Sequence, residues 1–270
     1  MVVVTATSDA ALPLPGAGVP ALVVRGLTKT FGPVRAVRGL DLDVPSGSMF
    51  GFVGPNGAGK TTTLSMVTGL LRPDAGQVWV GGVDLWSNLT AMRARIGVLP
   101  DDLRLFDRLT GQELLTYTGM LRRMDKDVVA QRSDELLDAL GLRGDAGKPV
   151  ADYSAGMTKK IALAAAALHA PDLLVLDEPF EAIDPVSARA IQEILARYAA
   201  DGGTVILSSH VMDTVQRVCD RVAVVHHGQV LVSGTLDEVA AGQDLESRFI
   251  ELVGGAAAPV ELSWLRPSSL

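Results

Sequence analysis

The sequence predicts an α/β fold with a mostly parallel sheet. Three observations lead there. Short apolar runs at 48–54, 173–177 and 204–209 have the uninterrupted apolar character of strands buried on both faces. Helical patterns lie between them. A glycine-rich segment, GPNGAGKT at 54–61, joins the first of these runs to a helical stretch.

The elements follow in chain order. Residues 1–20 are rich in Ala, Pro and Gly without periodicity and are expected to form a mobile tail. LDLDV (40–44) alternates apolar and polar as a half-buried strand does. SMFGFVG (48–54) is a buried strand ending in glycine, and TTTLSMVTGLL after Lys60 is a helix. QVWVGG (77–82) is a short strand closed by a Gly-Gly turn. From Leu85 to Val150 the pattern is mostly helical, including 111–124 and 127–141, the latter stopped by Gly141. This predicts a helical insertion at about 85–165. The apolar stretch 161–168 reads as a buried helix.

LLVLD (173–177) is another buried strand. The helix at 185–200 places Ile191, Ile194, Leu195 and Tyr198 on one face, with Pro185 in its first turn and Asp184 as cap. TVILSS (204–209) is a strand followed by a helix, and RVAVV and QVLVSG form a hairpin around His227–Gly228. Pattern is lost from about Gly254, so 254–270 is expected to be a tail.

Composition narrows the function. The 270 residues carry 24 basic and 31 acidic side chains, a net charge of −7. An acidic chain is poorly matched to nucleic-acid phosphates, and no nucleic-acid partner is expected. Cys219 is the single cysteine, which excludes an intrachain disulfide and suits a reducing compartment. No apolar run approaches the roughly 18 residues of a membrane span. The first twenty residues lack the basic start of a signal peptide. A cytoplasmic protein is expected.

The chemistry concentrates in two segments. GPNGAGKT matches G-x-x-x-x-G-K-[ST] in a strand-to-helix context. Gly54, Gly57 and Gly59, with Pro55, Asn56 and Ala58 between them, let the backbone curl so that its N–H groups face phosphate oxygens. The helix N-terminus adds its positive dipole end, through Thr61 and Thr62. Lys60 would reach the β- and γ-phosphates and the Thr61 hydroxyl would ligate Mg²⁺. LLVLDEP (173–179) brings Asp177 to the C-terminal end of a buried strand, where open α/β sheets bind ligands. Asp177 suits the Mg²⁺ shell, and Glu178 suits a base that polarises water.

With these motifs in place, residues 21 to about 253 resemble the nucleotide-binding subunit of an ABC transporter. YSAGM (153–157) resembles the family signature LSGGQ, keeping Ser154 and Gly156. Read from the residues alone, it is a serine cap on a buried helix. The resemblance implies that Ser154 and Gly156 bind the γ-phosphate of ATP held by the opposite subunit. Tyr153, Ala155 and Met157 depart from the common form, and the Ala155 methyl could crowd a phosphate. TKTFG (28–32) resembles the loop that stacks Phe31 on adenine; a core aromatic is the other reading. EAIDP (181–185) resembles the loop whose aspartate, Asp184, crosses the dimer interface. LSSHVMD (207–213) carries His210 in the place of the histidine that contacts the γ-phosphate. His169, His226 and His227 match nothing and read as structural.

In RIGVLPDD (95–102), Asp101 replaces the usual glutamine, an Mg²⁺ ligand and link to the membrane subunit. We expect Asp101 to remain in the metal shell; a solvated loop carboxylate is the alternative. LESRFIELVGG (245–255) resembles the tail of exporter-type ATPases, or is an amphipathic helix on the sheet edge. The resemblance implies a P-loop NTPase core of mostly parallel sheet with an antiparallel β subdomain and a helical subdomain carrying the signature. It implies ATP and Mg²⁺ as ligands, a head-to-tail homodimer through the nucleotide sites, and separate transmembrane permease subunits that hold the chain on the inner face of the membrane. Two other readings are a soluble ABC-type ATPase acting on a non-transport partner and a low-turnover nucleotide-binding regulator.

Overall fold

The computed structural model describes residues 18–102 and 104–254. The expected tails fall at 1–20 and 254–270, so 1–17 and 255–270 lie outside the described residues. Two sheets organise the chain. One is antiparallel, in the order β2-β1-β4-β5, from β1 (Leu22–Phe31), β2 (Val34–Val44), β4 (Ala75–Val80) and β5 (Val83–Asp84). The other has six strands in the order β10-β9-β3-β8-β7-β6. Its β3 (Met49–Val53), β6 (Ile96–Leu99), β7 (Leu173–Leu176), β8 (Thr204–Ser209) and β9 (Arg221–His226) run parallel, and β10 (Gln229–Thr235) pairs antiparallel at the edge.

Burial explains the unbroken apolar runs. Both faces of the parallel strands are covered, so alternate residues enter two separate cores. Phe50 and Phe52 of β3 join Leu173, Val175, Ile206, Ala223 and Val225 against the antiparallel sheet. Met49 and Val53 face the other way, with Leu174, Leu176, Val205, Leu207, Val222 and Val224, toward the helices. At roughly 1.5–3 kcal/mol per buried large apolar side chain, these layers hold the sheet rigid beneath the loops that carry the chemistry.

Helix α1 (Lys60–Val67) follows β3, and α2 (Leu89–Ala94) precedes β6. The helical layer contains α3 (Gly111–Leu121), α4 (Lys126–Ala139) and α5 (Ala155–Ala167). Gly119 allows α3 and α4 to approach closely; a Cβ there would lie 2.3 Å from a Val129 methyl. Helix α6 (Pro185–Ala200) starts under the Asp184 carboxylate, which accepts from the Val186 and Ser187 N–H groups, with Pro185 in its first turn. Helices α7 (Met212–Val218), α8 (Leu236–Ala240) and α9 (Leu245–Val253) complete the chain. Helix α9 buries Leu245 and lays Phe249, Leu252 and Val253 on the helical-side core.

One expectation needs correcting. The segment 85–165 is not helical throughout: after α2, Ile96–Leu99 is β6, an edge strand of the main sheet. Gly97 permits this, because a Cβ there would meet the Ala166 carbonyl of α5 at 2.3 Å. The continuous helical layer begins at Gly111.

Candidate nucleotide site

Four strands point their C-terminal ends at one edge of the sheet. The loop 54–59 leaves β3, Pro100 and Asp101 follow β6, Asp177 and Glu178 follow β7, and His210 follows β8. Because these strands are parallel neighbours, their trailing loops converge. The result is a cleft of about 780 Å³, lined among others by Gly57, Lys60, Thr61, Asp177, Glu178 and His210.

The glycine loop is held by close packing. A Cβ at Gly54 would lie 2.4 Å from the Val225 carbonyl oxygen, and one at Gly59 would lie 2.5 Å from that of Ala36. Gly59 also has φ +98, a left-handed conformation that side chains disfavour. It precedes α1, and no side chain caps that helix. The first N–H groups of α1 are therefore left for an anion.

Lys60 is nearly buried, and its ammonium donates to the Gly54 carbonyl at 2.7 Å. It lies 4.0 Å from Glu178 Oε1. Burial lowers its pKa, opposed by the charges of Glu178, Asp177 and Asp101. Asp177 is buried, and its Oδ1 accepts a hydrogen bond from the Ser208 hydroxyl. The same hydroxyl accepts from the Glu178 N–H at 2.9 Å. Glu178 sits at φ +47, a strained value for a non-glycine residue, fixed by that bond. Its Oε1 is 3.0 Å from His210 Nδ1. A carboxylate, an imidazole and an ammonium thus face one space, the set needed to orient water and stabilise negative charge.

The remaining expected residues divide between the cleft and its outside. Thr62 lines the cleft with Pro55, Asn56, Ala58 and Asp101. Phe31 ends β1, half exposed and outside the cleft lining, with the Lys29 ammonium 5.7 Å from its ring centroid. Ser154 caps α5 by accepting from the Met157 N–H, and Gly156 sits in its first turn against the Ala182 carbonyl. Ser154, Gly156 and Asp184 do not line the cleft. Hydrogen bonds from the Ser187 side chain and N–H hold Asp184 below the usual carboxylate range.

His227, read from the sequence as structural, lines the cleft beside Arg35 and Arg38 of β2. The hairpin tip next to it is clamped on the loop: Gly228 N–H donates to Ala58 O, and Arg38 N–H to Gly228 O. Sequence reasoning missed this wall and Ser208. Pairing of β9 with β3 was the only signal, and it is a tertiary one. His169 does remain structural, its Nε2 3.3 Å from the Ile96 carbonyl and its pKa pushed down to about 4 by burial.

A parallel sheet with this loop and these carboxylates at one edge defines a P-loop nucleotide-binding protein. The comparisons narrow it. The model of the ABC transporter family matches residues 37–181. The chain is 39% identical over 219 residues to the daunorubicin/doxorubicin resistance ATP-binding protein DrrA of Streptomyces peucetius, covering 81% of this chain and 66% of that protein. It is 36% identical over 227 residues to the ABC transporter ATP-binding protein NatA of Bacillus subtilis, covering 82% and 92%. A solved ATP-binding subunit of an ABC transporter superimposes with a TM-score of 0.81 at 29% identity, over 86% of this chain and 99% of that one. The chain belongs to the ABC transporter ATP-binding family.

Proposed function

We propose that this chain is an ATP-hydrolysing subunit that powers separate transmembrane permease subunits, working as a head-to-tail dimer on the inner face of the membrane. The observation that carries the reading is the convergence of Lys60, Asp177, Glu178 and His210 on one cleft. The name of one relative, a drug-resistance ATP-binding protein, supports an exporter-type role. Among the described residues no helix is long and apolar enough to cross a membrane, which fits dependence on a partner that does.

In this reading the loop 54–61 and Lys60 hold the β- and γ-phosphates, and Phe31 stacks on the adenine. Glu178 takes the proton of the attacking water. His210, held at 3.0 Å from that carboxylate, keeps the water and the γ-phosphate in line. Ser154 and Gly156 serve the neighbour's ATP, with Asp184 at the interface; their position outside their own cleft supports this. Thr61, Asp177 and Asp101 would hold Mg²⁺, which neutralises phosphate charge when bound. Among the described residues no group of three His, Cys, Asp or Glu could hold a metal unaided. A hydroxyl and two carboxylates fit Mg²⁺ that completes its shell with phosphate oxygens and water.

The test is phosphate release by the purified chain. Release that requires Mg²⁺ and disappears in Lys60→Ala is expected. Absence of hydrolysis by the parent chain, alone and with its permease, would remove the reading.

A further inference from the structure

Asp101 adds a carboxylate to a cleft that already holds Asp177, Glu178 and Glu181. A nucleotide brings several more negative charges into the same space. Two ammonium groups bear on Asp101. One is Lys60, whose proton affinity the Asp101 charge raises against the effect of burial. The other is Lys159 in the second turn of α5, whose Nζ lies 3.9 Å from Asp101 Oδ1. The Lys159 side chain is only 8% exposed, whereas that of Asp101 is 49% exposed. Among the described residues Asp101 is the only carboxylate that pairs with Lys159, and no hydrogen bond anchors the ammonium elsewhere. A buried cation carries a heavy desolvation cost unless a countercharge is held close. The pair crosses from the loop after β6 to the helix that begins at Ser154.

We propose that Lys159 is a positioning residue of the nucleotide site: its ammonium, carried on a largely buried side chain, holds Asp101 in place and cancels its charge, so that a carboxylate can stand in the cleft without repelling the phosphates. The inference rests on the triphosphate lying against the loop 54–61. Lys159 touches no phosphate itself; it acts through Asp101. The geometry also explains why an acidic residue is tolerated at 101, since a neutral residue there would leave Lys159 buried without its countercharge.

The experiment is equilibrium binding of ATP to the full chain in excess EDTA, so that no metal contributes, at low and high ionic strength. Lys159→Met keeps the stem and removes the charge. Its affinity is expected to fall roughly fivefold, the effect of one unit charge acting through a high effective dielectric. The loss should shrink at high salt. Adding Asp101→Asn to Lys159→Met should restore the parent affinity, because the pair is then neutral on both sides. A lysine with a merely structural role would change thermal stability and leave affinity and its salt dependence untouched, and that result overturns the proposal. So does failure of the double variant to recover. Lys60→Ala separates the two levels: parent-like binding in that variant removes the site reading, and the proposal with it. Loss of binding there, with Lys159→Met unaltered, removes the proposal alone.

Discussion

Replacing Glu178 with glutamine isolates the charge of one side chain. The amide has nearly the shape of the carboxylate, and the backbone at φ +47 keeps its bond to the Ser208 hydroxyl, so the loop should not move. Two things change. The variant has no group to take the proton of the attacking water, which costs a factor on the order of 10²–10⁴ in turnover. That is about 2.7–5.4 kcal/mol of transition-state stabilisation. The cleft also loses a negative charge 4.0 Å from Lys60 Nζ. The ammonium is released from that pairing, and repulsion of the γ-phosphate falls. ATP affinity should therefore hold or rise, by on the order of 1 kcal/mol at a partly solvated site. Phosphate release at saturating ATP gives the first quantity, and equilibrium ATP binding gives the second. Hydrolysis within a factor of three of the parent rate would refute Glu178 as the base, and the geometry would then leave His210 as the nearest alternative.

Further outcomes follow from the same site. Lys60→Ala should weaken ATP binding about 10- to 150-fold, from the loss of one charge-assisted phosphate contact worth roughly 1.5–3 kcal/mol, read by titration calorimetry. Gly59→Ala must place a methyl 2.5 Å from the Ala36 carbonyl at φ +98. It should cost at least about 1–3 kcal/mol of stability, lower Tm by roughly 2–10 °C and eliminate nucleotide binding. Asp101→Ala should raise the Mg²⁺ concentration needed for half-maximal hydrolysis; a curve superimposable on the parent's would make Asp101 a loop residue outside the metal shell.

Much of the fold and of the site was legible because the informative signals are contiguous. The loop 54–61 needs its residues at fixed spacing along one backbone turn, and the runs at 173–176 and 204–209 are apolar throughout because both faces are buried. Strand β1 was not legible. Register shifts between Val24 and Leu27, and again at Leu27/Thr28 and Lys29/Thr30, destroy its alternation, so its burial follows no period of two. Strand β6 is four residues long and lies between helices, too short to outweigh its surroundings. The cleft wall of Arg35, Arg38 and His227 depends on the hairpin tip meeting the loop after β3, a contact between segments far apart in sequence. Lys159 was equally silent. A buried lysine in an alanine-rich helix looks like a solvated charge until its neighbour across the gap is known.

The central claim is that each ATP is shared between two chains, with Lys60 on one side and Ser154 on the other. The most direct measurement is the solution mass of Glu178→Gln with ATP, alone and combined with Ser154→Arg. The account predicts that ATP doubles the mass of the 28.3 kDa chain in Glu178→Gln, and that Ser154→Arg prevents the doubling while the monomer still binds ATP. A chain that remains monomeric with ATP bound, or a Ser154→Arg monomer that has lost ATP binding, would contradict it.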